Sequence, residues 1–120
     1  MWNFPRILAH RGGGTLAPEN TLAALRCAQS LGFRAVEFDA MQVADGGLVL
    51  MHDTELGRTV PGSGSVGDCS VAGLAAADAG RWFSAAFAGE PVPSLAAALA
   101  FCVEHGIAMN IEIKPVPGRE

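Results

Sequence analysis

The pattern that most constrains the fold is an alternation of short apolar runs with helix-like segments. The helix patterns begin at Asn20 or Thr21 and at a Ser94 cap, and they end at Gly32 and Gly106. Strands alternating with helices are typical of βαβ units, so the sequence predicts an α/β fold with a mostly parallel sheet. The predicted strands cover residues 6–10, 35–39, 48–52 and 109–114.

The second and third predicted strands are joined by only about eight residues, which include Asp45-Gly46-Gly47. A parallel crossover usually needs a dozen residues or more, so an antiparallel hairpin and an unusually tight connection both remain open. Residues 54–92 are rich in turn residues and alanine. We expect them to form a small insertion with a short helix of its own, within a single domain over residues 1–120.

Composition excludes some classes of function. The net charge is −4 and the sequence pI is about 5.3, so no basic field is available to bind nucleic acid. No apolar run approaches the roughly 20 residues of a membrane span, and residues 1–6 lack the features of a signal peptide. The three cysteines are widely spaced and match no disulfide framework. We expect a soluble, cytoplasmic protein.

Acidic and basic side chains lie at the carboxyl ends of the predicted strands. Strand alternation places Glu37 and Asp39 on one face, and it places Glu112 and Lys114 on one face of the last strand. Charges inside an α/β sheet are costly unless they are compensated. The acidic groups therefore predict a shared partner.

A divalent cation is one such partner. Residues two apart on a strand have Cα atoms roughly 6.6 Å apart, so Glu37 and Asp39 can reach one ion and Glu112 can complete its shell. Carboxylate ligands favour Mg²⁺, Ca²⁺ or Mn²⁺ over a structural zinc. The alternative, equally open at this point, is a buried cluster of ion pairs with the neighbouring basic residues Arg11, Arg34, Arg58 and Lys114.

Two histidines end the first and third predicted strands. His10 and His52 are candidates for a general acid/base pair because the imidazole pKa of about 6.5 suits both roles, and Asp53 would orient one of them. The alternatives are packed core histidines and a turn aspartate. Arg11, followed by Gly12-Gly13-Gly14, is a plausible anion-binding group, and Lys114 could neutralise a phosphoryl oxygen.

In combination these motifs are specific. The chain resembles the glycerophosphodiester phosphodiesterase family, and in particular its compact bacterial cytoplasmic members. The motifs that carry the resemblance are His10-Arg11-Gly12, Pro18-Glu19-Asn20-Thr21, Glu37-Phe38-Asp39, His52-Asp53 with Arg58-Thr59, and Glu112-Ile113-Lys114-Pro115.

The resemblance implies a (β/α)₈ TIM barrel that uses a divalent cation to hydrolyse glycerophosphodiesters to an alcohol and glycerol 3-phosphate. It assigns acid/base catalysis to His10 and His52. It assigns phosphate binding to Arg11 and Lys114, and a pocket-covering role to the insertion. The metal ligands it implies are Glu37, Asp39 and Glu112.

A complete barrel needs about 250 residues, and this chain has about four predicted strands of the eight. We therefore expect a half-barrel or fragment that associates through open sheet edges, with another copy or with a separate partner. Two other functions remain open. One is hydrolysis of a lysophospholipid or phosphoinositide-like ester, and the other is a non-enzymatic module that binds phosphate.

Overall fold

The structure is a computed structural model that describes residues 3–118. Residues 1, 2, 119 and 120 of the predicted domain lie outside the described residues. The described part contains the strands β1 (Ala35–Gln42), β2 (Leu48–Leu50) and β3 (Ala108–Lys114), the helices α1 (Leu22–Ser30), α2 (Val71–Ala75) and α3 (Leu95–Glu104), and short 3₁₀ turns at Val66–Asp68 and Ala85–Phe87.

The three strands form one sheet in the order β2-β1-β3. β1 and β3 are parallel, paired from Ala35 opposite Ala108 to Met41 opposite Lys114. β1 and β2 are antiparallel, with Ala40 opposite Leu50. The short connection between the second and third predicted strands is therefore a hairpin. Because β2 runs against β1, it does not extend the parallel sheet.

The prediction of a first strand over residues 6–10 is wrong in its extent. Only Ala9 joins the sheet, in an isolated parallel bridge to Val36. The Ala9 N–H donates to Ala35 O at 3.1 Å, and the Glu37 N–H donates to Ala9 O at 3.0 Å. Pairing ends there, and Ile7 is 71% exposed. Among the described residues the sheet thus has three strands and one bridge in place of the four strands predicted, and β1 and β3 are its parallel pair.

The ends of the long helices agree with the sequence patterns. Thr21 Oγ1 accepts from the Ala24 N–H and Ser94 Oγ accepts from the Ala97 N–H, both at 3.1 Å. Gly32, just after α1, has a φ of 83°, a left-handed conformation that glycine adopts without strain. The predicted short helix of the insertion is α2.

Two apolar clusters hold these elements together. The first lies among β1, α1 and α3, with Leu25, Phe38 and Cys102 fully buried. The second packs residues 54–92 against the hairpin, where Val66 and Leu74 contact a buried group on β1 and β2. The insertion is therefore anchored beside the carboxyl end of β1.

Within residues 3–118, every helix is too short or too polar to cross a lipid bilayer.

Candidate active site

Three carboxylates converge on one face of the paired strands β1 and β3. The parallel register puts Asp39 directly opposite Glu112, and Glu37 lies two residues earlier on the same face of β1. One carboxylate oxygen from each residue lies within 4.8 Å of the other two. We call Glu37, Asp39 and Glu112 the acidic cluster.

The three residues of the acidic cluster differ in how far they are exposed to solvent. Asp39 is 1% exposed, the Glu37 side chain 15% and the Glu112 side chain 57%. Like charges this close repel one another in a partly desolvated site. The buried side of the cluster is thus fixed by protein, and its open side faces solvent.

Two basic side chains offset part of this charge. Lys114 Nζ lies 3.3 Å from Glu112 Oε1, and Arg11 Nε lies 3.9 Å from Asp39 Oδ2. The Lys114 ammonium is the main reason that the pKa of Glu112 lies below its usual range, and Asp39 adds a smaller contribution in the same direction. Ion pairs, the alternative to a metal site, are therefore formed, but only two basic side chains lie next to the three carboxylates of the acidic cluster. An all-oxygen donor set with residual negative charge fits a hard divalent cation.

Asn20 holds Asp39 from the buried side. The Asn20 amide donates from Nδ2 to Asp39 Oδ2 at 3.0 Å, and its Oδ1 accepts the Asp39 backbone N–H at 3.0 Å. The Asn20 backbone N–H in turn donates to Arg11 O at 2.9 Å. This side chain fixes the orientation of the most buried carboxylate. Sequence reasoning assigned Asn20 only to helix capping.

The loop after Ala9 is bound to Glu37. The Arg11 N–H donates to Glu37 Oε2 at 3.0 Å, and the Gly12 N–H donates to the Glu37 carbonyl at 2.9 Å. Gly12 has a φ of 91°, and a Cβ there would lie 3.0 Å from the Ala24 Cβ, so the turn suits glycine. As a result His10 Nε2 lies 3.6 Å from Glu37 Oε2, on a side chain that is 71% exposed.

His52 is oriented by its neighbour. His52 Nδ1 and Asp53 Oδ1 are 2.8 Å apart. A hydrogen bond from Arg58 lowers the pKa of Asp53 to about 2, against the opposing effect of burial. Because Asp53 is ionised at neutral pH and can only accept, His52 Nδ1 carries the hydrogen and Nε2 is left for other partners. The charge of His52 also contributes to the lowered pKa of Glu112, so His52 acts on the acidic cluster.

Glu19 and Arg58 are functional candidates that sequence reasoning did not place together. Arg58 pairs with Glu19 as well as with Asp53, and Glu19 also accepts from Arg11 Nη1 at 2.8 Å. Burial acts to raise the pKa of Glu19, but hydrogen bonds from Arg58 and the charge of Arg11 lower it overall. Glu19 and Arg58 are 39 positions apart in the chain, so sequence inspection does not reveal this contact.

An open cavity of about 730 Å³ adjoins the same residues. His10, Arg11 and Glu19 line it, together with Trp82 and Phe83 from the insertion. Trp82 packs edge-to-face on Phe83, with ring centroids 5.8 Å apart, and Phe83 packs similarly on Phe87. Trp82 and Phe83 thus line the cavity, and Phe87 packs against Phe83.

Comparison with known proteins agrees with this geometry. The model of the glycerophosphoryl diester phosphodiesterase family matches residues 10–120. A glycerophosphodiester phosphodiesterase of Caldanaerobacter subterraneus subsp. tengcongensis is 39% identical over 108 residues, which is 90% of this chain and 44% of the relative. Human glycerophosphodiester phosphodiesterase 1 is 38% identical over 109 residues, or 89% of this chain and 33% of its own.

Solved structures share the fold as well. A phosphodiesterase of Oleispira antarctica, in complex with the product sn-glycerol-3-phosphate, has a TM-score of 0.91 and 39% identity over 96% of this chain and 47% of its own. A glycerophosphodiester phosphodiesterase of Agrobacterium tumefaciens has a TM-score of 0.83 and 40% identity over 88% of this chain and 46% of its own. The chain therefore spans less than half the length of these relatives. The prediction of a partial barrel of this family is confirmed.

Proposed function

Because the chain belongs to the glycerophosphoryl diester phosphodiesterase family, we propose that it supplies the catalytic site for hydrolysis of glycerophosphodiesters to an alcohol and glycerol 3-phosphate. The observation that carries this proposal is the acidic cluster with His10 Nε2 3.6 Å from Glu37 Oε2. The orientation of His52 by Asp53, with Nδ1 and Oδ1 2.8 Å apart, supports it. The product bound to the Oleispira antarctica relative supports the same small-molecule substrate class.

Glu37, Asp39 and Glu112 are the proposed ligands of a divalent cation, Mg²⁺, Ca²⁺ or Mn²⁺. When bound, such an ion stabilises the negative charge that develops on the phosphoryl oxygens. The protein prepares for it by holding Asp39 through Asn20 and Glu37 through the loop N–H of Arg11. Both contacts keep the carboxylates in place before any ligand arrives.

Arg11 and Lys114 are the proposed phosphate-binding residues. Their cationic groups lie next to the acidic cluster, at 3.9 Å from Asp39 and 3.3 Å from Glu112. Arg11 uses Nη1 to bind Glu19, which holds the guanidinium beside the cavity. A monoanionic phosphodiester placed there would meet two positive side chains.

His10 and His52 are the proposed acid/base pair. One imidazole takes a proton from the attacking group, which is water or the neighbouring hydroxyl of the substrate, and the other gives a proton to the departing alkoxide. For His52 the nitrogen that exchanges the proton is Nε2, because Nδ1 is bound to Asp53.

A cytoplasmic location, expected from the unpaired cysteines of the chain, stays a prediction.

The test is release of glycerol 3-phosphate from glycerophosphocholine and glycerophosphoethanolamine, with and without EDTA. We expect release by the wild-type chain to stop in EDTA and in the His10→Ala and His52→Ala variants. His105→Ala is the matched control, because this third histidine packs on Phe101 after α3. Product release that survives both site variants would refute the proposal.

The open sheet edges favour a second candidate function, a non-enzymatic module that binds phosphate and pairs with another chain. In the part of the chain that the structure describes, β3 is paired only with β1, and Ile113 next to Glu112 is 72% exposed. Binding of glycerol 3-phosphate without turnover of either diester, in a chain with its fold intact, would favour this candidate.

A further inference from the structure

Arg58 joins two parts of the site that lie far apart in the sequence. Its Nε and Nη2 donate to Asp53 at 2.8 and 3.0 Å. Its Nη1 and Nη2 donate to Glu19 at 2.7 and 2.9 Å. Two edges of one guanidinium thus hold two carboxylates, each through a pair of hydrogen bonds. We call this arrangement the Arg58 clasp.

Each carboxylate of the clasp also holds a proposed site residue. Asp53 Oδ1 lies 2.8 Å from His52 Nδ1, and Glu19 Oε2 accepts from Arg11 Nη1 at 2.8 Å. The side chains therefore form one continuous chain from Arg11 through Glu19, Arg58 and Asp53 to His52. Arg11 comes from the loop after Ala9, and His52 comes from the hairpin.

We propose that Arg58 is a positioning residue, which fixes His52 in its Nδ1–H form through Asp53 and fixes Arg11 beside Asp39 through Glu19. One side chain, that of Arg58, then fixes the orientation of both the proposed acid/base group, His52, and the proposed phosphate-binding group, Arg11. The effect on turnover rests on the proposed function. The effect on the His52 tautomer does not.

The geometry requires an arginine. A lysine ammonium has no planar fork and cannot bind both carboxylates through paired hydrogen bonds. The Arg58 guanidinium also lies over the Trp82 ring, 5.9 Å from its centroid, which limits its movement. Arg58→Lys keeps the charge and removes the fork, so it separates positioning from simple charge compensation.

The deciding experiment measures the ¹⁵N chemical shifts of the two imidazole nitrogens of His52, which report the nitrogen that carries the hydrogen. It uses the full chain without added metal, at about pH 8, where ordinary imidazoles are neutral. We expect the wild type to hold hydrogen on Nδ1, and Arg58→Lys to give a mixture with a substantial Nε2–H population. Arg81→Lys is the matched control. Arg81 is another exposed arginine of the insertion, paired with Asp78 at 3.7 Å outside the clasp.

A wild-type His52 with hydrogen on Nε2, or an unchanged tautomer in a folded Arg58→Lys variant, would overturn the proposal. Arg58→Gln is measured alongside and should shift the tautomer in the same direction, so loss of fold in one variant leaves the other decisive. Circular dichroism and the thermal midpoint report folding for each variant.

The kinetic arm follows product release from glycerophosphocholine. We expect kcat of Arg58→Lys to fall about 10- to 100-fold, as for other residues that orient site groups, while Arg81→Lys stays at the wild-type value. Equal kcat for Arg58→Lys and wild type would contradict the positioning of reacting groups. If the wild type itself releases no product, the proposed function fails, and the NMR result still decides whether Arg58 sets the tautomer.

Discussion

Asn20 shows how much one residue can contribute at this site. Its backbone has a φ of 56°, a left-handed conformation that asparagine tolerates better than most residues. That conformation directs the amide toward Asp39, where it both donates and accepts. Asparagine tolerates the left-handed backbone and supplies both a donor and an acceptor for Asp39. Serine or aspartate could cap a helix, but neither side chain offers an amide N–H.

We therefore expect Asn20→Ala to weaken cation binding by about 10- to 100-fold, measured by calorimetric titration with Mg²⁺ or Mn²⁺. Asn20→Gly is the matched variant, because glycine keeps the left-handed backbone and removes only the amide. Both should bind more weakly, and Asn20→Ala should also unfold at a lower temperature. Wild-type affinity in Asn20→Gly would show that the amide does not hold Asp39 for the ion.

Asp53 gives a prediction about pH. Its pKa is lowered to about 2, first by the Arg58 hydrogen bond, from an ordinary value of 3.8. The ionised clasp therefore stabilises the native state fully above about pH 4, and this stability is lost as the pH falls toward 2. Thermal unfolding between pH 5 and pH 2 should show a smaller acid-induced loss in Asp53→Asn. Glu104→Gln, at the exposed end of α3, should follow the wild-type curve.

At the scale of elements, the sequence predicted correctly the features that depend on a few neighbouring residues, such as the ends of helices. Thr21, Gly32 and Ser94 predicted helix ends because caps satisfy backbone groups within a few residues. The strand over residues 6–10 is shorter than predicted because only Ala9 among these residues pairs with β1, at Val36.

Ser94 tests the value of such a cap. We expect Ser94→Ala to lower the free energy of unfolding by about 1 kcal/mol, because the Ala97 N–H loses its acceptor. Ser30→Ala, in the exposed last turn of α1, should change it by less than about 0.5 kcal/mol. Denaturant unfolding of both variants makes the comparison, and equal effects would contradict the capping role.

The candidate site was predictable only in part, for a related reason. Strand alternation placed Glu37 and Asp39 on one face, and the parallel register brought Glu112 beside them. The contacts of Arg58 and Asn20 depend on how separate elements pack, and no local pattern encodes that. The direction of β2 was likewise undecided, since its apolar run is the same for a hairpin and for a parallel strand.

At the scale of the whole molecule, the sheet ends in open edges. Within residues 3–118, β3 pairs with β1 on one side only, and the 72% exposed Ile113 lies on the sheet face opposite Glu112. Parallel sheets are normally covered on both faces, and unpaired edges favour association. The chain spans 44% and 47% of the length of two of its relatives.

We expect the chain to self-associate with rising concentration, and Ile113→Lys to shift it toward the monomer. A charged side chain is costly to bury in a contact between sheets. Sedimentation velocity at several concentrations measures this. Leu16→Lys introduces the same charge at a 61% exposed loop position, and it should leave the association unchanged. A wild-type chain that stays monomeric throughout would contradict the expectation.

The hairpin carrying His52 leaves and rejoins the fold at almost the same place. The Leu50 N–H donates to Pro93 O at 3.0 Å, and Val49 bridges Ser94. The segment between these contacts, residues 51–92, therefore begins and ends at the same edge of the sheet, and β1 and β3 pair directly without it. A change in its length would reshape the cavity wall formed by Trp82 and Phe83 without displacing that pairing. Because His52 lies at the start of this segment, such a change would have to keep His52 paired with Asp53.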